Sequence, residues 1–308
     1  MPELRLLRCG DETALDDFLA DHADTSMFLR ANARSAGLSD RGEPLQGTYV
    51  AALESGRIAG VAAHCWNGMV LVQAPEPDHA AAVAQEAVRR SGRAVTGFSG
   101  PWDQVVIARR ALGLAEAPTA KDSRDELYVL ELERLAVPPV LASGALRCRH
   151  PQAGELDLLV AWRVGFALEA LGAVDGPELH RASRADVLLQ HERGTDWLLL
   201  DRAAPVSYSV FNAMLPEIVQ VGGVWTPPEL RGRGYARSVV AGALLAARKQ
   251  GVRRAVLFAD PLNAAARAAY LALGFRIVGD YGLVLLTPPP TDSAAPATPG
   301  TPPRSRGA

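Results

Sequence analysis

One stripe of apolar residues organises the C-terminal half of the chain. Ala236, Val239, Val240, Ala243, Leu244 and Ala247 recur at i, i+3, i+4, i+7, i+8 and i+11, a single face of an α-helix. The spacing predicts a helix over 233–250, with Gly251 as its stop and Arg248 and Lys249 at the negative end of its dipole. Ahead of it, the β-branched and aromatic stretch 217–226 predicts a strand that ends at Pro227 and Pro228. Behind it, Ala255-Val-Leu-Phe-Ala259 predicts a buried strand. The wider pattern predicts a helix over 155–171, strands near 197–201 and 206–212, a helix over 263–273 and strands beyond. In the N-terminal half, Met69–Gln73 and a stretch near Leu127–Leu132 read as strands.

Between the strand 217–226 and the helix 233–250 the chain reads Val224-Trp-Thr-Pro-Pro-Glu-Leu-Arg231-Gly-Arg-Gly-Tyr-Ala236. Gly232 and Gly234 allow close backbone approach, and free N–H groups at a helix N-terminus attract anions. Arg231 and Arg233 add charge suited to phosphate. The loop has no Lys, so it is not a P-loop, and it lacks the Gly-x-Gly-x-x-Gly dinucleotide fingerprint. Arg231-Gly-Arg-Gly-Tyr-Ala236 fits Arg/Gln-x-x-Gly-x-Gly/Ala, and it resembles the acyl-CoA pyrophosphate loop of the GCN5-related N-acetyltransferase (GNAT) superfamily. Downstream, Asn263-Ala-Ala-Ala-Arg267-Ala-Ala-Tyr270-Leu-Ala-Leu-Gly274-Phe275 resembles that superfamily's Asn…Tyr…Gly-Phe block. Asn263 and Tyr270 lie two helical turns apart, on one face.

The resemblance implies a fold and a set of roles. The expected class is α/β (α+β), with two tandem GNAT-like domains, each a mixed central sheet flanked by helices. The donor would be acetyl-CoA, without a metal. Backbone groups of Val224, Trp225 and Thr226 would pair with the pantetheine arm. Arg231, Gly232, Arg233, Gly234, Tyr235 and Ala236 would hold the pyrophosphate, and Asn263 would contact the cofactor side. Tyr270 is the candidate acid toward the leaving thiolate; the alternative is a packing role. Relatives often place a Glu where this chain has Gln220, which leaves a side-chain base open beside a water path. Trp162, Phe166 and Glu169 share a helical stripe, so Glu169 either holds the acceptor's ammonium or pairs with a neighbouring Arg. The motif Val224–Glu229 fits a set of bacterial acetyltransferases better than the mycothiol-synthase pattern. The activity implied is acetyl transfer to a primary amine of a small molecule or peptide. A cofactor-binding sensor and a mycothiol-synthase-like acetylation are the alternatives.

The chain has 308 residues, 48% of them hydrophobic, which suits two domains with sizeable cores. A net charge of −2 gives no drive toward nucleic acid or membrane. No apolar run spans a bilayer and no signal peptide is apparent, so the expected location is cytoplasmic. Three scattered cysteines, Cys9, Cys65 and Cys148, argue against a disulfide framework. Cys148 and His150 lack further metal ligands.

Length and composition also divide the chain. Ala269-Tyr-Leu-Ala-Leu-Gly-Phe275 repeats Ala108-Arg-Arg-Ala-Leu-Gly-Leu114 at an offset of 161 residues. In the first copy Trp102 stands for Asn263 and Arg109 for Tyr270. Its loop, Ala74-Pro-Glu-Pro-Asp-His79, has acids and prolines and no glycine, so it should repel a pyrophosphate. The expected division is a degenerate unit over 1–136, a linker over 137–145, a catalytic unit over 146–286 and a disordered Pro-rich tail over 287–308. The oligomeric state is open.

Overall fold

A computed structural model describes residues 2–287. The tail expected over 287–308 therefore lies, from residue 288, outside the described residues.

The N-terminal half runs β1 (Glu3–Leu6), α1 (Glu12–Ala20), α2 (Met27–Ala36), β2 (Gly47–Glu54), β3 (Arg57–Cys65) and β4 (Met69–Gln73). It continues with α3 (Pro77–Ser91), β5 (Gly97–Pro101), α4 (Trp102–Ala111) and β6 (Thr119–Glu131). After the short α5 (Pro139–Ala142), the second half repeats the plan. It has β7 (Leu146–Arg149), α6 (Leu156–Ala170), α7 (Pro177–Glu192), β8 (Asp196–Asp201), β9 (Ala204–Met214) and β10 (Ile218–Trp225). It ends with α8 (Tyr235–Lys249), β11 (Arg254–Ala259), α9 (Ala264–Ala272) and β12 (Arg276–Leu286). The helices expected over 155–171, 233–250 and 263–273 thus form, each slightly shorter. The polar helix α7 was not anticipated, because its charged sequence carries only Ser183 and Val187 to the interior.

The strands form one twelve-stranded sheet in the order β1-β2-β3-β4-β5-β12-β6-β11-β10-β9-β8-β7. The halves exchange their last strands. β6 pairs with β11 of the second half, Leu127 opposite Phe258 and Glu126 opposite Ala259. β12 lies between β5 and β6, with Leu283 opposite both Ser99 and Ser123. The expected units 1–136 and 146–286 are therefore not separate sheets. The chain passes between them at α5, but the hydrogen-bond ladder runs across the division. A local hydrophobic pattern marks a strand but not its partner, which is why this exchange was not readable from sequence.

Two apolar layers hold the sheet. On one face α8 buries its predicted stripe: Val239, Val240, Ala243, Leu244 and Ala247 are fully enclosed against Val219, Val221, Ala255 and Leu257. Each fully buried Val or Leu of that stripe contributes about 1.5–3 kcal/mol. On the opposite face Met27 and Ala31 of α2 pack on Val129, Ile218 and Val256. That second contact joins the N-terminal helix to strands from both halves. A further ion pair across it links Arg30 to Glu217 at 3.1 Å.

Candidate functional site

The site begins where two parallel strands separate. β10 and β11 pair only from Ile218–Arg254 to Gln220–Val256. Beyond Gln220 the strands diverge, while β10 keeps its ladder to β9 through bulges after Gln220 and Gly222. Gly223 takes φ +55° at the second bulge, a conformation that favours glycine. Gln220 is itself 2% exposed; its Nε2 donates to the Val221 carbonyl at 2.8 Å, and its Oε1 has no partner.

The glycine loop closes the wide end of this gap. Gly232 and Gly234 have φ +79° and +77°, and a Cβ on Gly232 would meet nothing within 4 Å. Gly234 caps α8 without any side-chain hydrogen bond. Among the described residues, none of the N–H groups from Gly232 to Arg237 donates to the protein; the first such bond in the helix is Ser238 N to Gly234 O. Convergent N–H groups with no acceptor, at a helix N-terminus, form a cradle for an anion. By contrast, α9 satisfies its own end, because the Asn263 side chain accepts from Ala266 N at 3.0 Å. Asn263 thus caps a helix while also lining the cleft.

The arginines divide the labour. Arg231 turns inward: its Nε donates to the Thr226 carbonyl at 3.0 Å and its guanidinium lies 4.9 Å from the centre of the Trp225 ring. It also pairs with Glu169 at 2.9 Å. Arg231 therefore braces the loop while its side chain stays 42% exposed at the cleft. Glu169, expected as a candidate for holding the acceptor ammonium, is engaged by this arginine and is half-exposed. Phe166 meets Trp225 edge to face at 6.5 Å, so the α6 stripe braces the end of β10. Arg233 is exposed and only grazes the Glu229 carbonyl. The residue that the sequence reading missed is Arg237. Its Nε is buried without a partner, and it lines the cleft. A cation in the first turn of a helix opposes the dipole, and that signal was available in the sequence.

Val224, Trp225 and Thr226 also line the cleft, but two of their carbonyls already have partners. The Trp225 carbonyl accepts from Ser207 Oγ at 2.9 Å, and that of Thr226 from Arg231. Tyr235 is anchored away from the loop, with its hydroxyl donating to Asp201 Oδ2 at 2.5 Å; this bond, with some burial, raises its pKa. Ala236 follows it in the first helical turn.

Tyr270 comes from α9 to the same cleft. Its ring packs edge to face on Tyr128 at 5.7 Å and on Phe275 at 6.0 Å. Its hydroxyl has no hydrogen-bond partner among the described residues, and burial pushes its pKa up to about 12. It is a proton donor that stays protonated across the physiological range.

The whole cleft has a volume of about 1210 Å³ and draws on both halves of the chain. Its floor carries Ser99, Lys121, Asp125, Gln220 and Phe258 from four strands, and its walls include Phe28 and Asn32 of α2 and Arg163 and Phe166 of α6. In the first copy the corresponding cradle is gone. α3 starts directly at Pro77 behind Glu76, and the Ala74 N–H is taken by Gln104 Oε1 at 2.6 Å. Arg109, at the position of Tyr270, is tied to Asp122 at 2.5 Å. Among the described residues no group of three or more His, Cys, Asp or Glu is placed to hold a metal ion, and no helix is long and apolar enough to cross a membrane.

One sheet that splits between the parallel strands β10 and β11, with a glycine loop at a helix N-terminus beside the split, is an arrangement with which comparison with known proteins agrees. Residues 167–275 match the model of the acetyltransferase (GNAT) family. Among solved structures, the chain is similar to a GCN5-related N-acetyltransferase from Sphaerobacter thermophilus, with TM-score 0.56, 16% identity, and coverage of 92% of this chain and 94% of the other. A GCN5-related N-acetyltransferase from Kribbella flavida gives TM-score 0.55 and 17% identity over 87% and 95% of the two chains. A tandem GNAT protein from the clavulanic acid biosynthesis pathway gives 0.52 and 14% over 92% and 97%. At these identities the likeness concerns the fold. No curated protein matched the sequence. The second half thus carries the segment that matches the GNAT acetyltransferase model, and the chain as a whole shares its fold with a tandem GNAT protein.

Proposed function

We propose that the protein is an acetyl-CoA-dependent N-acetyltransferase acting on a primary amine, with one active site per chain. The observation that carries this reading is the unpaired N–H cradle from Gly232 to Arg237 beside the β10–β11 gap. The fit to the donor rests on these orphaned groups, on the bare Gly232 surface and on the unpartnered Arg237 Nε. The cradle and Arg237 would hold the pyrophosphate; Val224 and its neighbours would flank the pantetheine arm. When bound, acetyl-CoA supplies an acyl group activated as a thioester. Tyr270 then hydrogen-bonds the sulfur as negative charge develops there. A phenol with a pKa of about 12 is a weaker acid than an ordinary thiol at about 8.5, so Tyr270 stabilises the thiolate as a donor and need not surrender its proton. Arg231, stacked on Trp225, keeps the loop in register.

A second reading, a protein that binds acetyl-CoA without turnover, is favoured by one observation: Gln220 stands where relatives often carry a Glu. CoA release measured with a set of primary amines separates the two. Release that depends on amine supports the enzyme. Saturable acetyl-CoA binding with no release under any amine supports the sensor.

A further inference from the structure

The floor of the cleft holds a buried carboxyl that neither motif accounts for. Asp125 lies on β6, the strand that the first half lends to the second. Because Glu126 stands opposite Ala259, the last residue of β11, Asp125 sits one position past the end of that strand. The mouth of the β10–β11 gap is at this level. Directly across on β12 is Tyr281, whose ring stacks on Phe258 at 4.6 Å. Asp125 is 3% exposed, yet it lines the cleft. Its Oδ1 accepts a hydrogen bond from Ser123 Oγ, and its Oδ2 has no partner among the described residues. No arginine or lysine pairs with it there. Burial raises its pKa, against the smaller lowering effects of the Ser123 bond and of Lys121, while Asp260 raises it further. The other charged groups facing the cleft are Arg163 and Glu169 of α6, Asp186 of α7 with Arg193 just past its end, Arg231 and Arg233 of the glycine loop, and Arg237 of α8. A carboxyl buried without a cation costs stability, and such an arrangement is found where a group has work to do.

We propose that Asp125 binds the acceptor as an aliphatic ammonium and takes its proton. The first half of the chain would thus complete the active site of the second, through the exchanged strand. This rests on the acetyl-transfer reading above. In the step, the ammonium N–H bond breaks and its proton moves to Asp125 Oδ2. The neutral nitrogen then forms a bond to the thioester carbonyl carbon as the C–S bond breaks. The second nitrogen proton leaves with the departing sulfur as a thiol, and Asp125 returns its proton to solvent. Desolvation lowers an ammonium's pKa and raises a carboxyl's, so the cleft brings the two together. The acceptor class follows: alkylamines, which arrive charged, are favoured over arylamines, which arrive neutral.

The test uses the full chain, acetyl-CoA and two probe sets: alkyl monoamines, diamines and amino-acid amides in one, anilines in the other. Asp125→Asn is expected to lower kcat/KM for alkylamines by about 10²–10⁴-fold, to lose the acidic limb of the pH–rate profile, and to keep the melting-temperature rise caused by acetyl-CoA. Ser123→Ala removes a bond that lowers the carboxyl's pKa, so it is expected to move the acidic limb to higher pH without abolishing activity. Wild-type release that Asp125→Asn leaves unchanged, or an acidic limb that Ser123→Ala does not move, overturns the proposal alone. No CoA release by the wild type with any probe removes the transferase reading, and the proposal with it.

Discussion

Replacing Tyr270 with Phe isolates one hydroxyl. The ring contacts to Tyr128 and Phe275 survive the change, and the hydroxyl has no protein partner to lose. Removing a buried hydroxyl that makes no hydrogen bond is close to neutral for stability, so the melting temperature should hardly move. Turnover should behave differently. A donor aimed at charge that develops only in the transition state is worth about 10²–10³ in kcat, or about 2.7–4 kcal/mol. The acetyl-CoA dissociation constant should stay within a factor of about three, since that hydroxyl does little in the ground state. The pH dependence adds a second check. With its pKa pushed up to about 12, the phenol is protonated on both sides of neutrality. The wild-type to Tyr270→Phe ratio should therefore be flat from about pH 6 to about pH 10. Thiol release followed with a chromogenic disulfide, using an amine that the wild type accepts, reads all three quantities. Equal turnover in the two proteins, or a ratio that collapses just above neutral pH, would refute this role.

Three further outcomes follow from the geometry. Gly232→Ala and Gly234→Ala force an L-residue into φ near +80°, at about 1–2 kcal/mol each; calorimetry should find weaker acetyl-CoA binding in both, and unchanged affinity would disconnect the cradle from the ligand. Arg231→Ala loses the Thr226 bond, the Trp225 stack and the Glu169 pair together, whereas Glu169→Gln loses one exposed pair worth at most about 1 kcal/mol. Acetyl-CoA affinity should therefore fall clearly more in Arg231→Ala, and equal losses would contradict the bracing role. A chain beginning at residue 137 lacks β6 and leaves β11 and β12 with open edges. It should fail to melt cooperatively or should aggregate on gel filtration; a stable monomer that binds acetyl-CoA would show that the exchanged strand is dispensable.

Local signals in the sequence carried the reading a long way. The α8 stripe, the Gly232–Gly234 loop and the helix that follows Asn263 are each written in a few consecutive residues, and each appears where its pattern put it. What needed the structure was pairing over distance. Glu169 and Arg231 are 62 residues apart in sequence, so the ion pair that occupies the carboxylate left no local trace. Asp125 was hidden for another reason. In Lys121-Asp-Ser-Arg-Asp-Glu it reads as one more charge on an exposed strand, and only the insertion of β6 beside β11 buries it. The blank first copy was legible as chemistry, through Glu76, Asp78 and the absence of glycine. Its contribution of a strand and a helix to the second half's cleft was not, because a strand's sequence specifies its faces and not its neighbour.

The central claim is one acetyl-CoA site, built on the Gly232–Arg237 cradle, in a chain with two related halves. Titration of the full chain with acetyl-CoA by isothermal calorimetry tests it most directly. Saturable binding with a stoichiometry of one per chain, lost or much weakened in Gly234→Ala, is the expected result. No binding, or two equivalent sites per chain, would contradict it.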